Sequence, residues 1–341
     1  DWNNNVKRPI VTPNYDDPET MIRDNYSFSR GALVLHMLRN QLGEEKWRKA
    51  INLYLKTNAN KLVTTQDFQN SVNISAGESM DWFFDQWVYN MCHPVFDVTD
   101  EFDNVNNKLV LTVKKKQKTD FNNEYPQSLY FKGDMDIKID KKIYKVNINP
   151  EETNTFTFEL ANKPMLIAFD HNNNWIKEIK FKRSFDELIY QLKNDDDVLG
   201  RIWAMNKLVN IAKDTGTLNE DKAKIIETFR SVVLSNSYWR MRLNVLTQLQ
   251  GLIAPSWETK PFDLDNETRE MLLNVIEKDS SWLRAFALSF LGMTRDKQYS
   301  EIYIKYLSDN SFRVINSAAA SLGKTESEDA LITDTVLLFL L

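Results

Sequence analysis

The spacing of apolar residues changes character twice along this chain. Residues 1 to about 24 are rich in Pro and Asn and carry no regular apolar spacing, so they read as an extended lead-in. An apolar helix is predicted from about Ser29 to Gln41, starting at a flexible turn around Gly31. After Gly43 a second helical pattern places Trp47, Ala50, Ile51, Tyr54 and Leu55 on one face. Thr64 or Thr65 can cap a third helix through Phe68 and Val72. Ser79 can cap a fourth, Met80 to Tyr89, which must stop before Pro94 because proline lacks the N–H and clashes with the preceding turn.

Beyond Pro94 the period falls to two. Leu109, Leu111 and Val113 alternate with polar neighbours, as do Met135, Ile137 and Ile139. Tyr144, Val146 and Ile148 are set against Ile143, Lys145 and Asn147. Phe156, Phe158 and Leu160 follow, then short runs 165–169 and 176–181. Gly133-Asp134 and Asn172-Asn173-Asn174 supply turns. So many short strands in one stretch predict a small antiparallel β-sandwich.

From Ser184 onward the helical period returns and repeats itself. Arg201, Ala204 and Leu208 are echoed by Arg242, Val245 and Leu249 and by Arg284, Ala287 and Leu291, with a looser copy ending at Ala318, Leu322 and Gly323. A period of roughly 40 residues is that of HEAT and armadillo helix pairs. The small mid-helix residue admits a neighbouring helix and the leucine seals the layer; such arrays serve as interaction surfaces or structural walls. The expected architecture is therefore a multidomain α+β chain with three parts: a helical block at 1–94, the sandwich at 95–183 and the α-solenoid at 184–341.

Composition changes this picture little. With 341 residues, more than one core is expected. A net charge of −5 argues against nucleic acid as a partner, since phosphate neutralisation needs a basic surface. The run Lys114-Lys115-Lys116-Gln117-Lys118 is a local exception and reads as a solvated strand end. A single cysteine, Cys92, excludes an intrachain disulfide. No apolar stretch reaches the roughly 18 residues of a membrane span. The compartment stays open between cytoplasmic and periplasmic or secreted.

Candidate chemistry concentrates at 26–38, Tyr-Ser-Phe-Ser-Arg-Gly-Ala-Leu-Val-Leu-His-Met-Leu. This run resembles the Tyr-x-Lys-Gly-Ala-x-x-Leu-x-x-Leu segment of the M1 (gluzincin) zinc aminopeptidases. The likeness continues through Leu42-Gly43-Glu44-Glu45-Lys46-Trp47, Thr64-Thr65-Gln66-Asp67-Phe68, Asp81-Trp82-Phe83-Phe84-Asp85-Gln86-Trp87 and His93-Pro94-Val95. It implies that the first 94 residues are the helical end of a thermolysin-like domain, and that a peptide is the substrate of the parent protein. The zinc of the parent is not expected in this chain. His36, His93 and His171 are far apart and none begins His-Glu-x-x-His, the pair of imidazoles one turn apart that grips zinc beside a water-polarising Glu. A start at Asp1, without Met, fits a piece of a longer protein whose zinc-holding N-terminal domain is missing here. Alone, the piece is expected to be inactive.

In the family, a tyrosine three residues before the Gly donates its hydroxyl to the oxyanion; that position here is Phe28, which has no hydroxyl. Two readings of Tyr26 follow, one in which it substitutes as donor and one in which it packs or faces solvent. Phe28 also opens a second reading of the whole, a non-catalytic pseudopeptidase or scaffold whose solenoid binds a protein partner. The remaining candidates have plainer readings. Arg30 is a surface cation or ion-pair partner, His36 a packing residue, His93 part of a domain joint and His171 a solvated turn residue. Asp195, Asp196 and Asp197 form a carboxylate run that could hold a cation, but favourable interaction with a helix N-terminus explains it without one. Trp203, Trp239 and Trp282 read as layer packing. If the peptidase reading holds, 29–93 is one side of a cleft and carries an exposed apolar surface.

Overall fold

The structure, a computed structural model, describes residues 8–12, 26–254 and 262–325, apart from the side chain of Tyr26, and among these holds eleven α-helices and seven strands. The chain divides into two compact units, Asp1–Arg183 and Ser184–Leu341. Most of the predicted lead-in lies outside the described residues.

In the first unit a π-helical turn, Tyr26–Arg30, runs into α1 (Gly31–Thr57). The two helices predicted on either side of Gly43 are continuous apart from Gly43 itself, which sits at φ 76° and ψ 162°. That backbone is open to glycine and strained for other residues. Of the face predicted in the second half, Ala50 is buried and Trp47, Ile51 and Tyr54 are half-buried, but Leu55 is exposed, a correction. Helix α2 (Thr65–Ala76) begins where expected, with the Asp67 carboxylate accepting from both the backbone N–H and the hydroxyl of Thr64. Helix α3 (Asp81–Phe84) passes into a second π-helical turn, Asp85–Tyr89, closed by Asn90 N–H donating to Asp85 O at 2.9 Å.

Strands β1 (Val95–Asp103), β2 (Lys108–Lys115), β5 (Thr153–Glu159) and β7 (Glu178–Phe181) form one sheet in the order β5-β2-β1-β7. Strands β3 (Gly133–Ile139), β4 (Lys142–Ile148) and β6 (Ile167–Phe169) form the other, in the order β4-β3-β6. The alternation forecast the inward faces: Leu109, Leu111, Val113, Met135, Ile137 and Ile139 are all buried. Rings from the two sheets meet, Phe96 with Phe169 and Phe158 with Tyr144. The expectation of purely antiparallel pairing is corrected at one place, since β1 and β7 run parallel. Their long connection carries every other strand, which a hairpin could not do.

Two glutamines tie the helical block to β3 as if they were extra backbone. Gln41 Nε2 donates to Asp134 O at 2.8 Å while its Oε1 accepts from Asp134 N–H at 3.1 Å. Gln86 does the same with Lys132, at 3.1 and 2.8 Å. Between these pairs lies Gly133, at φ 143°, where a Cβ would come within 3.1 Å of the Trp175 ring. Trp175 and Phe131 both pack on buried Trp87, so the joint is an aromatic cluster flanked by amide pairs.

The second unit is a two-layer helical array. Helices α4 (Phe185–Asn194), α6 (Asn219–Val233), α8 (Asn266–Lys278) and α10 (Ser300–Tyr306) alternate with α5 (Val198–Lys213), α7 (Trp239–Ile253), α9 (Ser281–Gly292) and α11 (Phe312–Gly323). Within the second set α5 touches α7, α7 touches α9 and α9 touches α11. Each repeat position read from sequence, Ala204, Leu208, Val245, Leu249, Ala287, Leu291, Ala318 and Leu322, is fully buried. The repeated arginine also has a repeated task. Arg201 Nε donates to Leu192 O at 2.7 Å and Arg242 Nε to Val233 O at 2.6 Å, each capping the end of the preceding helix. Arg242 further pairs with Asp279, and Arg284 with Asp309. The last repeat is shorter because α10 has only 7 residues. At Gly292 a Cβ would meet the Ser321 backbone at 3.1 Å, so glycine there permits the close approach of α9 and α11.

Candidate functional site

The start of α1 is held by two buried arginines that enter from different parts of the chain. Arg8 donates to Pro9 O, Ile10 O and Ser27 Oγ at 2.7, 3.1 and 3.2 Å. Val11 N–H donates to Val88 O at 3.2 Å, which fixes this short segment against the second π-helical turn. Arg30 donates from its guanidinium to Cys92 O at 2.7 Å, across the joint between α3 and β1. Its reading as a surface cation is corrected: only 7% of it is exposed. The cause is Cys92, whose φ of 85° turns its carbonyl out of any strand pattern and leaves it to be satisfied by a side chain. Sequence gave no signal for Arg8, and Arg30 could be found only through its partner 62 residues away.

On the other side of this clamp the surface is apolar and open. Phe28 is 63% exposed, and Leu33 and Leu35 are also exposed, while Val34, Met37, Leu38 and Leu42 bury the opposite face of α1. His36 shares the exposed side with Leu33. Its Nε2 lies 3.2 Å from Asn174 Oδ1 and 3.1 Å from Asn40 Nδ2. The expectation that His36 packs in an apolar core is therefore corrected; α1 is apolar on both sides and His36 falls on the open one. Tyr26 belongs by its backbone to the same π-helical turn as Phe28, and its side chain lies outside the described residues.

His93 fits the joint predicted for it, buried with Nε2 3.0 Å from Glu178 Oε1. His171 is corrected from solvated to buried, in a turn where Asp170, Asn172 and Asn173 all take positive φ. Asp170 anchors that turn. It accepts from the N–H groups of Asn174 and Trp175 and from Lys177 Nζ at 2.5 Å. Burial pushes its carboxyl above the usual range despite these partners. Among the described residues of the first unit no three His, Cys, Asp or Glu side chains converge within that unit alone.

In the second unit Asp197 caps α5, its Oδ1 accepting from Leu199 N–H at 2.9 Å, which accounts for that carboxylate as expected. Buried Asp195 accepts from Asp197 N–H and from Gln191 Nε2, each at 3.2 Å. Trp239 and Trp282 stack at 5.8 Å, but Trp282 is exposed and carries the Arg313 guanidinium on its face, so layer packing describes it only in part.

The described helices contain none long and apolar enough to cross a membrane. Comparison with known proteins gives the chain a class. Residues 3–87 match the Peptidase family M1 domain. A stretch of 145 residues is 27% identical to the tricorn protease-interacting factor F2 of Thermoplasma volcanium, covering 39% of this chain and 18% of that one. A stretch of 105 residues is 28% identical to the glutamyl aminopeptidase of Rattus norvegicus, covering 31% of this chain and 11% of that one. The solved structure of Legionella pneumophila aminopeptidase A in complex with aspartic acid superimposes with a TM-score of 0.71 at 15% identity, over 96% of this chain and 42% of that one. The likeness to the M1 domain is carried by the first quarter of the chain, and the matched stretches span less than a fifth of the length of these two curated relatives.

Proposed function

We propose that this chain is the C-terminal portion of an M1-type zinc aminopeptidase that removes N-terminal residues from peptides, and that it is inactive by itself. The observation that carries the reading is the open apolar face at the start of α1, Phe28, Leu33 and Leu35, on a segment within the M1 match. Exposed apolar side chains grouped at one helix start make a surface that a partner can cover. The parts then take the family's order. Residues 1–94 are the helical end of the thermolysin-like domain, 95–183 the sandwich, and 184–341 a HEAT-like solenoid, for which the two-layer array and the repeated Arg–Asp pairs give support. The family implies zinc in the parent protein. Its ligands would come from a domain docked on the open face.

What these residues contribute is shape and the side of the site that faces the oxyanion. Phe28 presents a ring where the family presents a hydroxyl, and a donor of that kind is worth on the order of 10²- to 10³-fold in rate. Positions 26 and 28 do not share a helical face. Tyr26 and Phe28 are thus alternatives for that side, and Tyr26 acts as donor only if the turn shifts. The missing hydroxyl specifically favours the second reading, a non-catalytic relative in which the solenoid binds a protein.

Assay on aminoacyl amides separates these readings. The chain alone is expected to give no turnover above background. Joined to its zinc-holding domain, Phe28→Tyr is expected to raise kcat by at least tenfold with KM little changed. Turnover by the chain alone would overturn the first reading; no gain from the Tyr variant would move the conclusion to the scaffold.

A further inference from the structure

The basic run at the end of β2 does not behave as a solvated strand end. Lys116 and Lys118 are exposed, but Lys115 is 95% buried, its residual exposure being 5%. Its Nζ donates to Phe131 O at 2.8 Å and also to Asn149 O. An ammonium has three donors, so one is left over. Lys115 lines a depression of about 740 Å³ that is open to solvent. The lining combines two kinds of side chain: Lys115, Lys116 and Lys118, and Phe121, Leu129 and Tyr130, the last three exposed to solvent. The Tyr130 ring centroid is 5.9 Å from Lys115 Nζ. Gln117, Thr119 and Glu152 complete the lining.

We propose that this depression binds a small anion bearing an aromatic or apolar group, with its charge toward the three lysines and its ring toward Phe121, Leu129 and Tyr130. Glu152 is the one carboxylate in the lining and restricts the anion to the lysines. The remaining donor of the Lys115 ammonium can serve an anion, and Lys116 and Lys118 add positive charge beside it. The apolar lining adds affinity that a bare inorganic ion could not use. The site is independent of the peptidase reading, since it involves neither the M1-matched segment nor the open face of α1.

Burial also lowers the Lys115 ammonium to about 8, with Glu151 acting in the opposite direction. The charged groups around it are Lys116, Lys118, Glu151 and Glu152. Below about pH 8 the amine is charged and meets the anion; above it the charge is lost. Phenyl phosphate, whose second ionisation is about nine-tenths complete at pH 7, nearly keeps its charge over that range and is the probe.

Calorimetric titration of the full chain is expected to show saturable binding of phenyl phosphate, at least tenfold tighter than inorganic phosphate, and weakening from pH 7 to pH 9. Lys116→Glu with Lys118→Glu, both exposed, should leave the fold intact and reduce affinity at least tenfold. Bound phenyl phosphate should slow acetylation of Lys115, read by mass spectrometry. No saturable binding at millimolar probe, equal affinity for inorganic phosphate, or an unaffected double variant would each overturn the proposal. Lys115→Met is avoided as the sole test because it strips two backbone carbonyls of their donor.

Discussion

Helix α1 in the first unit and helix α7 in the second each carry a run of apolar residues, yet these meet opposite fates. In α7 the residues that recur through the repeat, Val245 and Leu249, are wholly buried by helices adjacent in the array. In α1 one face is buried to the same degree, while Leu33 and Leu35 remain 50% and 43% exposed. The lesson is one of supply. A repeat brings its own cover, because each helix pair is followed by another with a matching face. A helix in a non-repeating block depends on whatever the fold places over it, and here that cover is not provided by the described residues.

This contrast can be broken in three places. The largest effect is expected at Leu249→Ala, which opens a cavity at a seam between helices and should destabilise the second unit by about 2–5 kcal/mol. Hydrogen exchange resolved along the chain would register it as lost protection in 184–325, with 26–183 unchanged. Loss of protection in both units together would mean that they unfold as one. A smaller effect, about 1–3 kcal/mol, is expected for Arg30→Met, since the substitution leaves Cys92 O without the guanidinium that answers it. Urea denaturation would measure it, and a neutral outcome would remove Arg30 from the clamp. The smallest effect belongs to Leu33→Ser with Leu35→Ser, within about 0.5 kcal/mol in this chain, because both side chains already face water. The same pair should weaken association with a covering domain many-fold. A large stability loss in this chain alone would show that the face is already covered, and the contrast would dissolve.

Legibility differed between elements for physical reasons. Periodicity located the Gly43 break, the Thr64 cap and the alternation of β2, β3 and β4, because each depends on neighbours a few residues away. It missed β1, where Asp97, Asp100 and Glu101 dilute the apolar alternation of Phe96 and Val98. It placed β7 within the run 176–181 but not its parallel pairing, because the register with β1 is set by a connection spanning the whole sandwich region. At the candidate site, the sequence pointed to the turn before Gly31 and to the missing hydroxyl at Phe28. It misplaced Arg30, His36 and His171, because burial of a polar side chain depends on which distant carbonyl or carboxylate it reaches.

The residue pattern alone determined that helices precede strands and strands precede a helical repeat, that the repeat closes on small residues and leucines, and that no local His-Glu-x-x-His exists. These are statements about spacing, and spacing is written in the chain. Tertiary structure decided which face of α1 stays open, that two arginines clamp its start, and that Lys115 is drawn inward to line a depression. Those outcomes come from contacts between segments tens of residues apart, where the cost of burying a charge or exposing a leucine depends on what arrives from elsewhere.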